Sequence, residues 1–159
     1  MILLVHMLFG AAIAAKIQNP VLAIILAFLS HYLLDILPHT EYPIDNIKRG
    51  RLKMARPDIL RVSLDFLAGI LLIYIFSNRE LIIFIAAFFA ILPDGLSLIN
   101  SFFPNKILTA YNNFHQKRLH YFKEPACRQA GKKIPNFWRI LSQVTVVLIS
   151  LALFFSSFF

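Results

Sequence analysis

Apolar residues run through this chain in five long stretches, at roughly 2–18, 20–38, 58–77, 80–100 and 137–159. Each approaches the ~20 residues that a helix needs to cross a hydrocarbon core about 30 Å thick. The pattern predicts an all-α integral membrane protein of about five transmembrane helices. The breaks have local causes. Gln18-Asn19-Pro20 and Ser77-Asn78-Arg79-Glu80 read as tight turns closing helical hairpins, and Pro57-Asp58 reads as a helix start. The connections 39–57 and 101–136 read as loop. Ala12-Ile13-Ala14 resembles a signal cleavage site, but no positively charged start precedes it, so the first stretch is expected to remain as a helix.

Composition sharpens this picture. Of 159 residues, 58% are hydrophobic and only 15% charged, which excludes a disordered chain and argues against an ordinary water-soluble domain. The length suits a single membrane domain. Cys127 is the only cysteine, so neither a disulfide framework nor a cysteine-only metal cluster is available. Charge then sets orientation. With five crossings, the N-terminus and both long connections share one side and the tight turns share the other. Of 16 basic residues, only Lys16 and Arg79 fall near the tight turns; the other 14, from Lys48 to Arg139, lie on the side of the long connections. The positive-inside rule makes that side cytoplasmic, placing a multi-pass protein in a cell's inner membrane.

The first two stretches also resemble the third and fourth. A shift of 59 residues superimposes Leu8, Gly10, Asn19, Leu22, Ile24, Ala27, Leu33 and Asp35 on Leu67, Gly69, Asn78, Leu81, Ile83, Ala86, Leu92 and Asp94. Leu and Ile matches are cheap in so apolar a chain; the Gly, Asn and Asp matches carry the weight. His6 falls on Asp65. The pattern reads as a parallel repeat of two helical hairpins, about 4–39 and 63–98. Counted from the turns at Asn19 and Asn78, His6, His31, Asp35, Asp65 and Asp94 all lie 12 to 16 residues away, or about 18 to 24 Å along a helix. They form one polar layer displaced toward the cytoplasmic side. Gly10 and Gly69 would let the helices close on it.

Ionisable groups at that depth are costly and must be paired, form a path, or bind an ion. The densest string is HYLLDILPH, in which His31 and Asp35 share a helix face at a spacing of four. Pro38 is expected to end that helix and leave His39 and Glu41 at the surface. Imidazole and carboxylate suit zinc, manganese or another first-row divalent ion. Hydrogen bonding alone and a proton path remain open on the same residues. A second string, HQKRLH, carries His115 and His120, which at a spacing of five would not share a face of a regular helix.

Taken in order, H-x-x-x-G near the start, L-P-D at the end of an apolar helix, and two histidines five apart resemble the YdjM-like family of inner-membrane metal-dependent hydrolases. More distantly, H-x-x-x-D resembles a ligand motif of the zinc phospholipase C and single-strand nuclease group. The resemblance spans roughly residues 6 to 120. It implies that His6, Asp94, His115 and His120 match the family's motif residues. Leu96 stands where that family has a second carboxylate, Gln116 where it has an arginine, and Tyr121 where it has a serine.

The resulting expectation is a metal-dependent phosphoesterase acting on a lipid. His6, His31, Asp35, Asp65 and Asp94 would hold a divalent ion, zinc foremost, with His39, His115 or His120 completing a second site. Asp65 or Glu41 would act as base, and Lys117 and Arg118 would hold the phosphate. Membrane lipid is the expected partner; nucleic acid is not expected. The final stretch carries no ionisable residue after Arg139 and is expected to pack or face lipid. A small ion or proton carrier and a non-catalytic membrane adaptor are the alternatives.

Overall fold

The computed structural model describes residues 2–40, 43–48, 51–115 and 134–156, and among them every regular element is helical. In chain order these are α1 (Leu3–Lys16), α2 (Pro20–Ile36), α3 (Asp45–Lys48), α4 (Arg56–Phe76), α5 (Leu81–Phe102), α6 (Lys106–Phe114) and α7 (Asn136–Phe155), with a 3-10 turn at Leu52–Met54. The five long elements follow the five apolar stretches to within a few residues. Three of them, α4, α5 and α7, are long and apolar enough to cross a membrane. The other two are apolar but shorter, with 14 residues in α1 and 17 in α2.

The ends of these helices have the causes that the chain suggests. Asn19 caps α2, its Oδ1 accepting the Leu22 N–H at 3.1 Å, with Pro20 at the first helical position. Leu37 turns to extended backbone just before Pro38, which ends α2. At the other tight turn Arg79 takes φ 61°, and its guanidinium sits 4.3 Å from the Tyr74 ring centre.

The connections are not all loop. Between α2 and α4 lies α3, whose Asn46 and Ile47 N–H groups are accepted by Asp58 Oδ2 at 3.0 and 3.4 Å. After α5, Pro104 stops one helix and Asn105 starts the next, its Oδ1 taking the Leu108 N–H at 2.8 Å. This α6 was invisible in the apolar pattern because nine residues broken by Asn112-Asn113 make no long run.

Helix α1 is the hub. It packs against α2, α4, α5 and α7, and Met7, Leu8, Ala11, Ala12 and Ala14 are buried among Ile73, Ile83, Ala86, Ala87 and Phe154. Small residues make this closeness possible: a Cβ on Gly10 would lie 2.5 Å from Ala90 Cβ and 3.2 Å from the Ala86 carbonyl oxygen. Helix α4 leans on α1 and touches its own hairpin partner α5 little. Helix α7 does more than face lipid. Its Gln143 exchanges two bonds with Thr40, Thr40 Oγ1 donating to Oε1 at 2.6 Å and Nε2 donating to the Thr40 carbonyl at 2.8 Å, while Ser142 Oγ donates to the Pro38 carbonyl. The strand of chain leaving α2 is thereby fastened.

Candidate metal centre

Four side chains from three helices converge on one point. His31 and Asp35 come from one face of α2, Asp94 from α5, and His115 from the residue that ends α6; one ligand atom from each lies within 4.8 Å of all the others. Asp35 Oδ2 is the centre of the group, 2.9 Å from His115 Nε2 and 3.1 Å from His31 Nε2. The two Nε2 atoms are 3.3 Å apart, and Asp94 Oδ1 is 3.8 Å from His31 Nε2. In a tetrahedral zinc site, ligand bonds of about 2.0–2.2 Å separate neighbouring ligand atoms by about 3.3–3.5 Å. The observed spacings straddle that value.

The hydrogen bonds behind the ligands orient them. His31 Nδ1 lies 2.8 Å from the Ala90 carbonyl oxygen, which can only accept, so Nδ1 carries a proton. Neutral His31 therefore points a lone pair from Nε2 at a carboxylate oxygen 3.1 Å away. Two acceptors so close need positive charge between them, either a proton on the imidazole or a metal ion. His115 Nδ1 lies 3.0 Å from Ser97 Oγ, an outer partner of the kind that fixes metal-ligating imidazoles. Two ionised carboxylates, Asp35 buried and Asp94 part-exposed, carry two negative charges, which a divalent cation would cancel. The set of His31, Asp35, Asp94 and His115 thus fits a divalent ion by atom type, spacing, charge and outer shell.

Pro93, inside α5, leaves the Phe89 carbonyl without its usual intrahelical donor, one residue before the Ala90 carbonyl that accepts from His31 Nδ1. Around the cluster, the Tyr32 and Tyr111 rings pack against His115, and their hydroxyls are 3.4 Å apart.

His31, Asp35, His115 and His6 are fully or almost fully buried, whereas the Asp94 side chain is 29% exposed. One ligand therefore opens outward. His6 stands at the edge of the group. Its ring stacks on His31 with centroids 4.2 Å apart, and its Nε2 is 3.3 Å from Asp35 Oδ1, the oxygen turned away from the other histidines. Neither ring nitrogen of His6 has a hydrogen-bond partner among the described residues.

The remaining sequence candidates lie elsewhere. Asp65 is not among the converging atoms: its Oδ2 accepts the Leu4 N–H at 3.1 Å and so caps the start of α1, whose own Ile2 offers no capping side chain. His39 turns Nδ1 to the Leu37 carbonyl at 2.7 Å, at the exit of α2. Glu41, Lys117, Arg118 and His120 lie outside the described residues. Conversely, Ser97, Tyr32, Tyr111 and the Ala90 carbonyl belong to the site without having been singled out in the sequence. The available signals were weak: Ser97 lies three residues beyond Asp94, and Pro93 announces a disturbed turn.

Comparison with protein-family models, with curated proteins and with solved structures finds no match for this chain.

Proposed function

We propose that this chain is a membrane-embedded, metal-dependent hydrolase acting on a phosphoester, with a lipid phosphate as the substrate class. The observation that carries the reading is the convergence of His31, Asp35, Asp94 and His115 with one ligand open to the outside. Structural zinc sites are closed, whereas catalytic ones keep a reachable position. A divalent ion held there lowers the pKa of a water and polarises a phosphoryl oxygen. The half-open Asp94 carboxylate is the group placed to take a proton from the attacking water. Asp65, engaged at the α1 N-terminus, supports the helix that carries His6. Lys117 and Arg118, two and three residues after His115 in the chain, would supply donors for the phosphate.

In this reading all five apolar helices cross the bilayer, the first four as a repeated hairpin, with the 14 basic residues on the cytoplasmic side. The shortness of α1, about 21 Å of helix, is tolerable because its surroundings are protein and not acyl chains. The metal group then lies toward the cytoplasmic head groups, where a lipid carries its phosphate. Ion transport is disfavoured by the packing beyond Gly10. There Ala11, Ala12, Ile73, Ile83, Ala86 and Ala87 pack together, and the described residues bury serines, Ser77 and Ser150, but no ionisable side chain toward the far side.

The test is elemental analysis of protein purified without chelator, followed by release of phosphate from a panel of lipid phosphoesters. Stoichiometric zinc or manganese, lost in Asp35→Asn and His115→Ala together with hydrolysis, is the expected result. Absence of bound metal with His31 and Asp35 chemically intact overturns the reading. Metal uptake into proteoliposomes without hydrolysis would assign the cluster to transport instead.

A further inference from the structure

Helix α6 carries three stripes. Leu108, Tyr111, Asn112 and His115, at the spacing of one helix face, turn inward on α5 and the metal group. Thr109, Asn113 and Lys106 make a polar exposed stripe. The third stripe is apolar and uncovered: Ile107 is 81% exposed, Phe114 is 56% exposed, and Ala110 lies between them. At 100° per residue these stripes are centred on three different directions around the helix. A helix in water gains nothing from showing Ile107 and Phe114.

The path of α6 indicates what covers that stripe. After the corner at Pro104-Asn105 the chain runs back along the last turns of α5: Thr109 Oγ1 donates to Asn100 Oδ1 at 3.0 Å, and His115 Nδ1 reaches Ser97. The helix thus descends beside α5 to the level of the metal group. Beside it α5, one of the three helices of spanning length, exposes Phe88, Ile99 and Phe102, and Phe103 follows its last turn exposed as well. We infer that α6 is a re-entrant limb whose Ile107, Ala110 and Phe114 stripe lies against the acyl chains of the leaflet on the side of the long connections, so that one wall of the metal group is an element held in place by lipid. Its backbone is satisfied within the helix and its inner face is covered by protein, which are the conditions under which a partial crossing is tolerated. The polar stripe of Thr109 and Asn113 faces water, as in amphipathic helices at a membrane interface.

The inference rests on the membrane reading and not on the metal or the chemistry. It is tested by single-tryptophan variants in a Trp138→Phe background, reconstituted into phosphatidylcholine–phosphatidylglycerol vesicles with or without brominated acyl chains. Phe114→Trp and, independently, Ile107→Trp are expected to lose emission in brominated vesicles to within about twofold of Phe88→Trp on the lipid face of α5. Asn113→Trp is expected to be quenched by aqueous acrylamide instead. Quenching at 114 and 107 by acrylamide but not by lipid overturns the inference, since α6 would then lie in water. Quenching there by neither also overturns it, because protein would cover the stripe. If Phe88→Trp itself escapes the brominated lipid, the membrane reading fails and the inference falls with it.

Discussion

Two helix pairs whose sequences share eight identities at a shift of 59 residues, α1–α2 and α4–α5, do different work. His6 reaches the Asp35 carboxylate, whereas Asp65, 59 residues later, caps the N-terminus of α1. His31 is a candidate ligand, whereas the corresponding Ala90 contributes only its carbonyl, and contributes it to His31. Asp35 is buried at the centre of the group, and Asp94 forms its exposed edge. Helices α1 and α2 pack against one another, while α4 and α5 are spread apart around α1. A similar pattern of apolar positions thus yields one hairpin that supplies two of the four converging side chains, and another that supplies one, Asp94, at the exposed edge of the group.

The sharpest way to break this comparison is to exchange its two carboxylates in turn. Asp35→Asn is expected to weaken zinc binding by roughly 100-fold, read by competition with a chromogenic chelator, because Asp35 touches three histidines; Asp94→Asn should cost about tenfold. Equal losses would abolish the distinction between centre and edge. The paired glycines come next. Gly10→Ala forces a methyl to 2.5 Å from Ala90 Cβ and toward a backbone carbonyl, so α1 and α5 must part, at a cost of about 2–3 kcal/mol in detergent unfolding. Gly69→Ala meets only the flexible end of Met7, with Sδ at 2.8 Å, and should cost under about 1 kcal/mol.

Smaller effects sharpen the contrast. Ser97→Ala removes the partner of His115 Nδ1 and should weaken metal binding about tenfold without changing the fold, measured with the same chelator and by circular dichroism. Asp65→Ala should leave metal affinity nearly unchanged and lower stability by about 1 kcal/mol, as the loss of a helix cap does. A large loss of metal with stability intact would return Asp65 to the ligand set.

These contrasts also mark how far the sequence is legible. The helices were readable because Asn19-Pro20 and Pro38 punctuate the apolar runs through local geometry, and the His31–Asp35 pair because a spacing of four places both on one face. What stayed hidden depends on partners far along the chain. Asp65 and Leu4 are 61 residues apart, and nothing local distinguishes a carboxylate that caps a distant helix from one that binds an ion. His115 was visible as a motif residue, but its contacts with Asp35 and Ser97, 80 and 18 positions away, leave no local mark in the sequence. Its delivery needed α6, too short and too polar in its last turn to be read from periodicity. The five expected crossings, too, rest on three helices of spanning length and two shorter apolar ones, α1 and α2.

The central place of α1 bears on the order of synthesis. It leaves the ribosome before the four helices that enclose it, and the last of those, α7, follows about 120 residues later. Until then the side of α1 destined for Phe154 lacks its cover. Assembly of this bundle is therefore completed only when α7 arrives, the helix that carries no part of the polar cluster.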